Sequence, residues 1–262
     1  KIERLEVLFF ANDLCVWHPD SVTYNAATGN VSFPQAVPTS LIDGTTSYTI
    51  WVIANKSLVE MTGDSLNVLK NLLVSDDFLH NGMAPPSPLV MEGSMVTTLT
   101  TAGQHLGTLS LQRVFAKITI RIKTRGNITP NLNGGVPQVA LQNYKTEATL
   151  IYTGIPPTNL PLKSDGFIAA DSLDGEWLTT DYPFYVCPYR WTADHTFETF
   201  FLIKIPQTVG GVTRDHFYEV NFNYQMFGGS TGMVTNHSMD RNHHYTLELF
   251  IDQPGGTALV PQ

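Results

Sequence analysis

The stretch Ile118-Thr119-Ile120-Arg121-Ile122-Lys123 sets three branched apolar residues at every second position against three polar ones. Successive side chains on an extended backbone point to opposite faces, so this is the pattern of a half-buried strand. The same period runs through Tyr48, Ile50, Val52 and Ala54 of YTIWVIAN, and through Leu5, Val7 and Phe9 set against Glu6, Leu8 and Phe10. Shorter strand-like runs occupy residues 139–141, 149–152, 183–186, 197–205, 217–224 and 245–251. Turn signals separate them: Thr28-Gly29-Asn30, Asp43-Gly44, Asn133-Gly134-Gly135, Gly210-Gly211 and Gly228-Gly229. The pattern predicts an all-β chain, a sandwich or a barrel.

One segment departs from period two. Leu66, Leu69, Leu72 and Leu73 recur at helical spacing, with Asp64 placed as an N-cap, which predicts one short amphipathic helix over 65–74 lying across the sheets. The Pro-rich polar stretch 75–94 that follows reads as a connection from one sheet to another. A second connection, GIPPTNLPLKSDG at 154–166, combines three prolines with two glycines between well-patterned regions. It predicts a boundary between a first domain, 1–155, and a second, 156–262.

Composition narrows the function. The 262 residues carry 15 Lys plus Arg against 23 Asp plus Glu, a net charge of −8, and only 15% are charged. Without a basic face, phosphate neutralisation has no footing, so nucleic acid is not an expected partner. No run of about 18 uncharged apolar residues offers a membrane span. The 30 Thr and 20 Gly, with few Lys, fit the hydroxyl- and amide-rich surface of an exported β protein. Cys15 and Cys187 leave open either one long-range disulfide or two buried thiols.

Motifs for catalysis are missing: there is no GxSxG, HExxH, CxxC or P-loop. His243 and His244 are adjacent and would face opposite sides of a strand, so joint metal ligation needs a bend or help from His237. In WHPD at 17–20, His18 stands beside a turn proline. Asp76-Asp77 follows the helix as either a solvated loop or a cation site, with no further ligand to name. Tyr182, Phe184, Tyr185, Tyr189 and Trp191 offer either sugar-stacking rings or core filling. No catalytic, cofactor-binding or metal-ligating residue is assigned, no cofactor is expected, and no enzymatic activity is expected.

Four stretches carry a resemblance when read in order: IANKSLVEMTGDSLNVLKNLL, LVMEGS, LSLQRVFAKITIRI and DRNHHYTLELFID. Within them stand Ala54-Asn55 closing an apolar strand, the Met91-Glu92-Gly93 turn, Arg113 with Ala116-Lys117, and Arg241-Asn242 ahead of Tyr245. FYVCPYRW at 184–191 adds an aromatic strand. The ordered set resembles the fimbrillins of Bacteroidetes, the type V pilin family of major and minor fimbrial subunits. The resemblance implies two tandem transthyretin-like β-sandwich domains, the first holding the short helix. It implies export as an outer-membrane lipoprotein precursor and proteolytic removal of an N-terminal segment including a strand. A groove so opened takes a donor strand from another fimbrial subunit, a reaction driven by backbone pairing and apolar insertion rather than catalysis. Arg113 and Lys117 are expected on one strand face, as fold markers rather than a binding site.

Shaft-forming fimbrillins continue beyond the last strand into a further apolar segment. Here IDQPGGTALVPQ follows, with Ala258, Leu259 and Val260 as its apolar residues, which implies either a trimmed chain or a subunit that exchanges a strand on one side only, as expected of a tip subunit at the cell surface. Its partners would be other fimbrial subunits and a host or bacterial surface glycan or protein. The alternative is a surface carbohydrate-binding adhesin module outside any polymer, supported by the aromatic cluster around Trp191.

Overall fold

The computed structural model describes residues 1–75, 88–124, 135–151, 162–191, 198–221, 224–225, 234–235 and 238–257. The chain is all-β, with one short α-helix among the described residues. It divides into two compact units, one comprising Lys1–Val74, Pro86–Val114 and Thr149–Ile155, the other Ser75–Pro85, Phe115–Ala148 and Pro156–Gln262. The boundary expected at 155/156 is therefore corrected, because residues 115–148 belong with the C-terminal half. The reason is burial. Ile118, Ile120 and Ile122 are fully buried in one cluster with Val139, Leu141, Phe201, Ile203 and Ile205, so the alternating strand goes where its apolar face is covered.

In the first unit, five described strands form one antiparallel sheet. They are β1 (Leu5–Ala11), β2 (Leu14–Trp17), β3 (Ser47–Ala54), β4 (Met91–Thr98) and β5 (Gln112–Arg113), in spatial order β2-β1-β3-β4-β5. β1 and β2 are joined by Asn12 and Asp13, both at left-handed φ (48° and 64°), as a two-residue hairpin loop requires. The alternation expected in β1 does not sort it into a wet and a dry face. Leu5 through Phe10 are all buried, Glu6 included. Val7 and Phe9 pack with Trp17, Leu41, Tyr48, Ile50 and Leu99, while Leu8 and Phe10 are buried on the opposite side.

The helix α1 spans Leu66–Asn71, shorter than the expected 65–74, with Ser65 rather than Asp64 at the N-cap position. It stops because Leu72 turns extended (ψ 130°) and its carbonyl accepts the Leu150 N–H at 2.7 Å; the next residues form the strand Leu73–Ser75. The segment entering the helix covers the edge of β2. Gly63 N–H donates to Cys15 O and Cys15 N–H to Asp64 O, each at 2.8 Å, and Leu66 N–H donates to Asp13 O at 2.7 Å. An edge so paired is closed to other chains.

The second unit contains β6 (Ala116–Thr124), β7 (Gln138–Gln142), β8 (Ile168–Ala169), β9 (Ser172–Asp174), β10 (Trp177–Thr179), β11 (Phe184–Val186), β12 (Phe200–Val209), β13 (Val212–Asn221) and β14 (His244–Ile251). One sheet runs β8-β7-β12-β13. The other centres on β6, with β10 and β11 along one side and β14 parallel to it along the other, and β9 outside β10. Inward residues of the two sheets share one core, which makes this unit a sandwich. Gly210 and Gly211, at φ 60° and 80°, close the long β12–β13 hairpin.

After β14 the chain crosses to the edge of the opposite sheet. Phe217 of β13 and Gly256 exchange two backbone hydrogen bonds (2.8 and 3.2 Å), His216 Nδ1 donates to Gly255 O at 2.8 Å, and Tyr218 Oη donates to Gln253 O at 2.9 Å. A Cβ on Gly255 would run into the Phe217 carbonyl, so this close crossing depends on glycine. Ala258, Leu259 and Val260 lie outside the described residues.

Candidate functional site

The aromatic run does not form a sugar platform. Phe184 and Tyr189 are each only 3% exposed and Trp191 7%, packed in the core of the second unit; only Tyr182 reaches the surface, while Tyr185 is half-buried. Tyr189 Oη donates to Asn143 O at 2.5 Å, the Thr199 hydroxyl donates to the same carbonyl at 2.8 Å, and burial raises the Tyr189 pKa above its ordinary value. This buried network fixes the left-handed Asn143 (φ 54°) rather than presenting a ring to solvent. The cluster on which the carbohydrate-binding alternative stood is core filling.

The histidines go to separate tasks. His243 Nδ1 donates to Arg241 O at 2.8 Å with its ring stacked near Tyr245, while His244 Nε2 meets the Thr119 hydroxyl at 2.9 Å. His237 and the Asp76-Asp77 pair lie outside the described residues. Cys15 and Cys187 are buried thiols, not joined in a disulfide.

His18 is more than a turn residue. At the end of β2, with 7% of its surface exposed, it places Nε2 3.0 Å from Glu6 Oε2, and its Nδ1 accepts the Met61 N–H at 3.3 Å. A backbone N–H can only donate, so the neutral imidazole carries its proton on Nε2 and donates it to Glu6. Glu6 also accepts from Arg4 Nε at 2.7 Å. The group ties β1, β2 and the loop before α1 together. Glu6 and His18 stand twelve residues apart, Glu6 inside an apolar run and His18 at the end of one, and that combination was the readable signal.

The motif residues behind the resemblance have structural duties. Asn55 adopts φ 65°; its Nδ2 donates to Lys1 O (3.1 Å) and Leu89 O (2.8 Å), and its Oδ1 accepts the Glu3 N–H at 2.9 Å. Gly93 lies under Ser110, where a Cβ would come within 2.5 Å of the carbonyl oxygen. Asn242, at φ 58°, donates its N–H to Phe115 O, and Tyr245 Oη accepts the Asp240 N–H at 3.0 Å. Arg113 and Lys117 do not share a strand face, because β5 ends at Arg113 and β6 of the other unit begins at Ala116. Val114 and Phe115, buried between them, interrupt the parity that sequence spacing assumed.

Two sheet margins are available for pairing. β5 covers β4 only at Met91 and Glu92; from Ser94 to Thr97 no further strand lies alongside among the described residues, and Val96 is 67% exposed. β14 is the outermost described strand of its sheet. β1, which would flank a groove left by a lost neighbour, is paired with β3 from Leu5 to Phe10 and with β2 from Phe9 to Ala11. Beside Leu5 to Leu8, the far side of β1 carries no strand among the described residues. No described helix is long and apolar enough to cross a membrane.

Comparison with known proteins follows the fold more closely than the sequence. No family model matches the chain. It is similar to the major fimbrium tip subunit FimD of Porphyromonas gingivalis, at 28% identity over 151 residues, covering 54% of this chain and 22% of that protein. The chain thus spans under a quarter of the length of this relative. Among solved structures it is similar to a candidate cell adhesion protein from Bacteroides eggerthii, at TM-score 0.59 and 16% identity, covering 98% of this chain and 83% of the other. A candidate cell adhesion protein from Bacteroides uniformis gives TM-score 0.53 at 13% identity, with coverages of 96% and 87%. Candidate polysaccharide-binding proteins from Bacteroides thetaiotaomicron give TM-score 0.53 at 11% identity, with coverages of 97% and 85%. At these identities the shared property is the fold, and over half of its length the chain is related in sequence to a fimbrium tip subunit.

Proposed function

We propose that this chain is a non-enzymatic adhesion subunit of a cell-surface fimbria, placed at or near the tip and reaching the surface through an outer-membrane lipoprotein precursor. The observation that carries the reading is the 151-residue similarity to a fimbrium tip subunit. The adhesion and polysaccharide-binding descriptions of proteins with this fold are in keeping with it. Its partners are other fimbrial subunits, joined by strand exchange, and a surface glycan or protein.

Physical support for strand exchange comes from the sheet margins. Beside Val96 on β4 and along the outer side of β14 no further strand lies among the described residues, and each is a place where an extended segment gains hydrogen bonds. The test is to label fimbriae with an antibody against this chain and to titrate purified chain with partner-strand peptides while following Tm. Label at filament ends and a raised Tm are expected. Label along whole filaments would remove the tip assignment, and absence from filaments would overturn the subunit reading.

A further inference from the structure

The outward face of the sheet around β6 holds an aromatic and ionic surface that neither strand pairing nor the core uses. Arg121 and Lys123 point away from the buried isoleucines. In the parallel register with β14 they sit beside Glu248 and Phe250, and β10 brings Thr179 beside Arg121 and Trp177 one step further on. Arg121 Nε donates to Asp174 Oδ2 at 2.9 Å and Nη1 to Glu248 Oε1 at 2.9 Å, and Lys123 Nζ pairs with Glu176. The rings of Trp177 and Phe250 meet at 4.8 Å with planes at 63°, Lys123 Nζ stands 5.9 Å from the indole centroid, and Phe250 is 44% exposed.

We propose that this face binds an uncharged glycan, with a pyranose ring resting on the Trp177–Phe250 pair and its hydroxyls bonded by Asp174, Glu248 and Arg121. The inference rests on the adhesion reading above and gives it a ligand class and a place. A pyranose combines a face of C–H groups, which packs on an aromatic ring, with hydroxyls that both donate and accept at its rim. The surface matches both parts. Each carboxylate has lone pairs beyond those its cation uses, and of the five guanidinium N–H groups of Arg121 three are engaged, leaving two as donors.

Ion pairs between three strands hold these side chains in place before a ligand arrives, so little ordering entropy is lost on binding. Charge chooses among ligands. Arg121 and Lys123 against Asp174, Glu176 and Glu248 give 2 − 3 = −1, and both cations are already paired, so a polyanion is repelled while a neutral polyol is not. Two rings set among ion pairs also make a poor seat for an apolar helix.

The experiment uses the full chain on an array of neutral oligosaccharides, followed by calorimetric titration of the best binder against wild type, Trp177→Ala, Phe250→Ala and Arg121→Lys. These residues face outward, and circular dichroism checks the fold of each variant. Binding is expected to weaken about tenfold or more in Trp177→Ala and Phe250→Ala, and measurably in Arg121→Lys, which keeps the charge but loses the fork. A Val96→Thr control in the other unit is expected to bind as wild type. Absence of any neutral glycan hit, or wild-type affinity in both aromatic variants, overturns the proposal. Incorporation of the same variants into fimbriae is expected to be unchanged, so failure here leaves the subunit reading standing, and failure of wild type to incorporate counts against that reading alone.

Discussion

Gly93, in the Met91-Glu92-Gly93 stretch that carries part of the resemblance, gives a prediction whose size follows from geometry. Its φ is ordinary, so backbone strain plays no part, and space alone decides. A Cβ there would lie 2.5 Å from Ser110 O, 2.8 Å from Leu109 Cδ2 and 3.3 Å from Leu111 Cδ2. Ordinary contact starts at 3.4 Å, so the Ser110 carbonyl must retreat by 3.4 − 2.5 = 0.9 Å. Leu109 can rotate aside, but the carbonyl moves only if the backbone of 109–111 moves with it. Overpacking of this kind costs about 1–3 kcal/mol, offset by about 0.5–1 kcal/mol for replacing glycine in a strand. Gly93→Ala should therefore destabilise the first unit by about 1 kcal/mol, and by no more than about 2.5 kcal/mol, measured from urea unfolding with local hydrogen exchange as the reporter for that unit. Gly166→Ala is the control, since its Cβ meets nothing within 4 Å and its φ is ordinary; it should be neutral or slightly stabilising. If Gly93→Ala unfolds at the wild-type midpoint, close approach is not why glycine stands there.

Three further outcomes follow from buried or bonded groups. His18→Leu leaves Glu6 buried without its imidazole donor and Met61 N–H without an acceptor, at a loss of about 2–4 kcal/mol, while Glu6→Leu/His18→Leu should recover much of it; a double variant no better than the single would refute the pairing. Burial pushes the Cys15 thiol up to about 11, so the native state keeps a proton that the unfolded chain releases near pH 9. Stability should fall as pH rises from about 9 to 11, and a thiol reagent at pH 8 should label Cys15 only after unfolding. The Asp43 carboxyl is held down at about 2, first by the Thr46 hydroxyl and then by the Thr46 and Thr45 N–H groups, so its turn is favoured above the ordinary carboxylate range and loses that support as pH falls toward 2. A carboxyl titration by NMR with a midpoint near 4 would contradict it.

What could be read from sequence depended on whether a strand has one wet face. β6 has one, and Ile118, Ile120 and Ile122 declared both its type and its buried side. β1 is covered on both faces, so its apolar run gave its existence but not its surroundings. The helix was legible at Leu66 and Leu69 and overrun at Leu72, where a bond to Leu150, distant in sequence, outweighed local propensity. The domain cut failed for a similar reason: proline-rich punctuation marks loops, while membership of a unit is settled by which core receives the side chains. Of the candidate surfaces, the aromatic run around Trp191 was conspicuous and buried. Trp177 and Phe250 sit far apart in the chain, Trp177 in a strand of three residues, and only the pairing of β10 and β14 with β6 brings their rings together.

The parallel alignment of β14 with β6 has a mechanical side. β6 begins at Ala116, and β14 ends at Ile251, opposite Thr124, at the other end of the same ladder. Tension drawn between those two points slides one strand along the other and strains the whole register from His244–Lys117 to Ile251–Thr124 together, instead of peeling it open one bond at a time. Load applied between Ala116 and Ile251 is thus shared by the eight paired positions of the ladder.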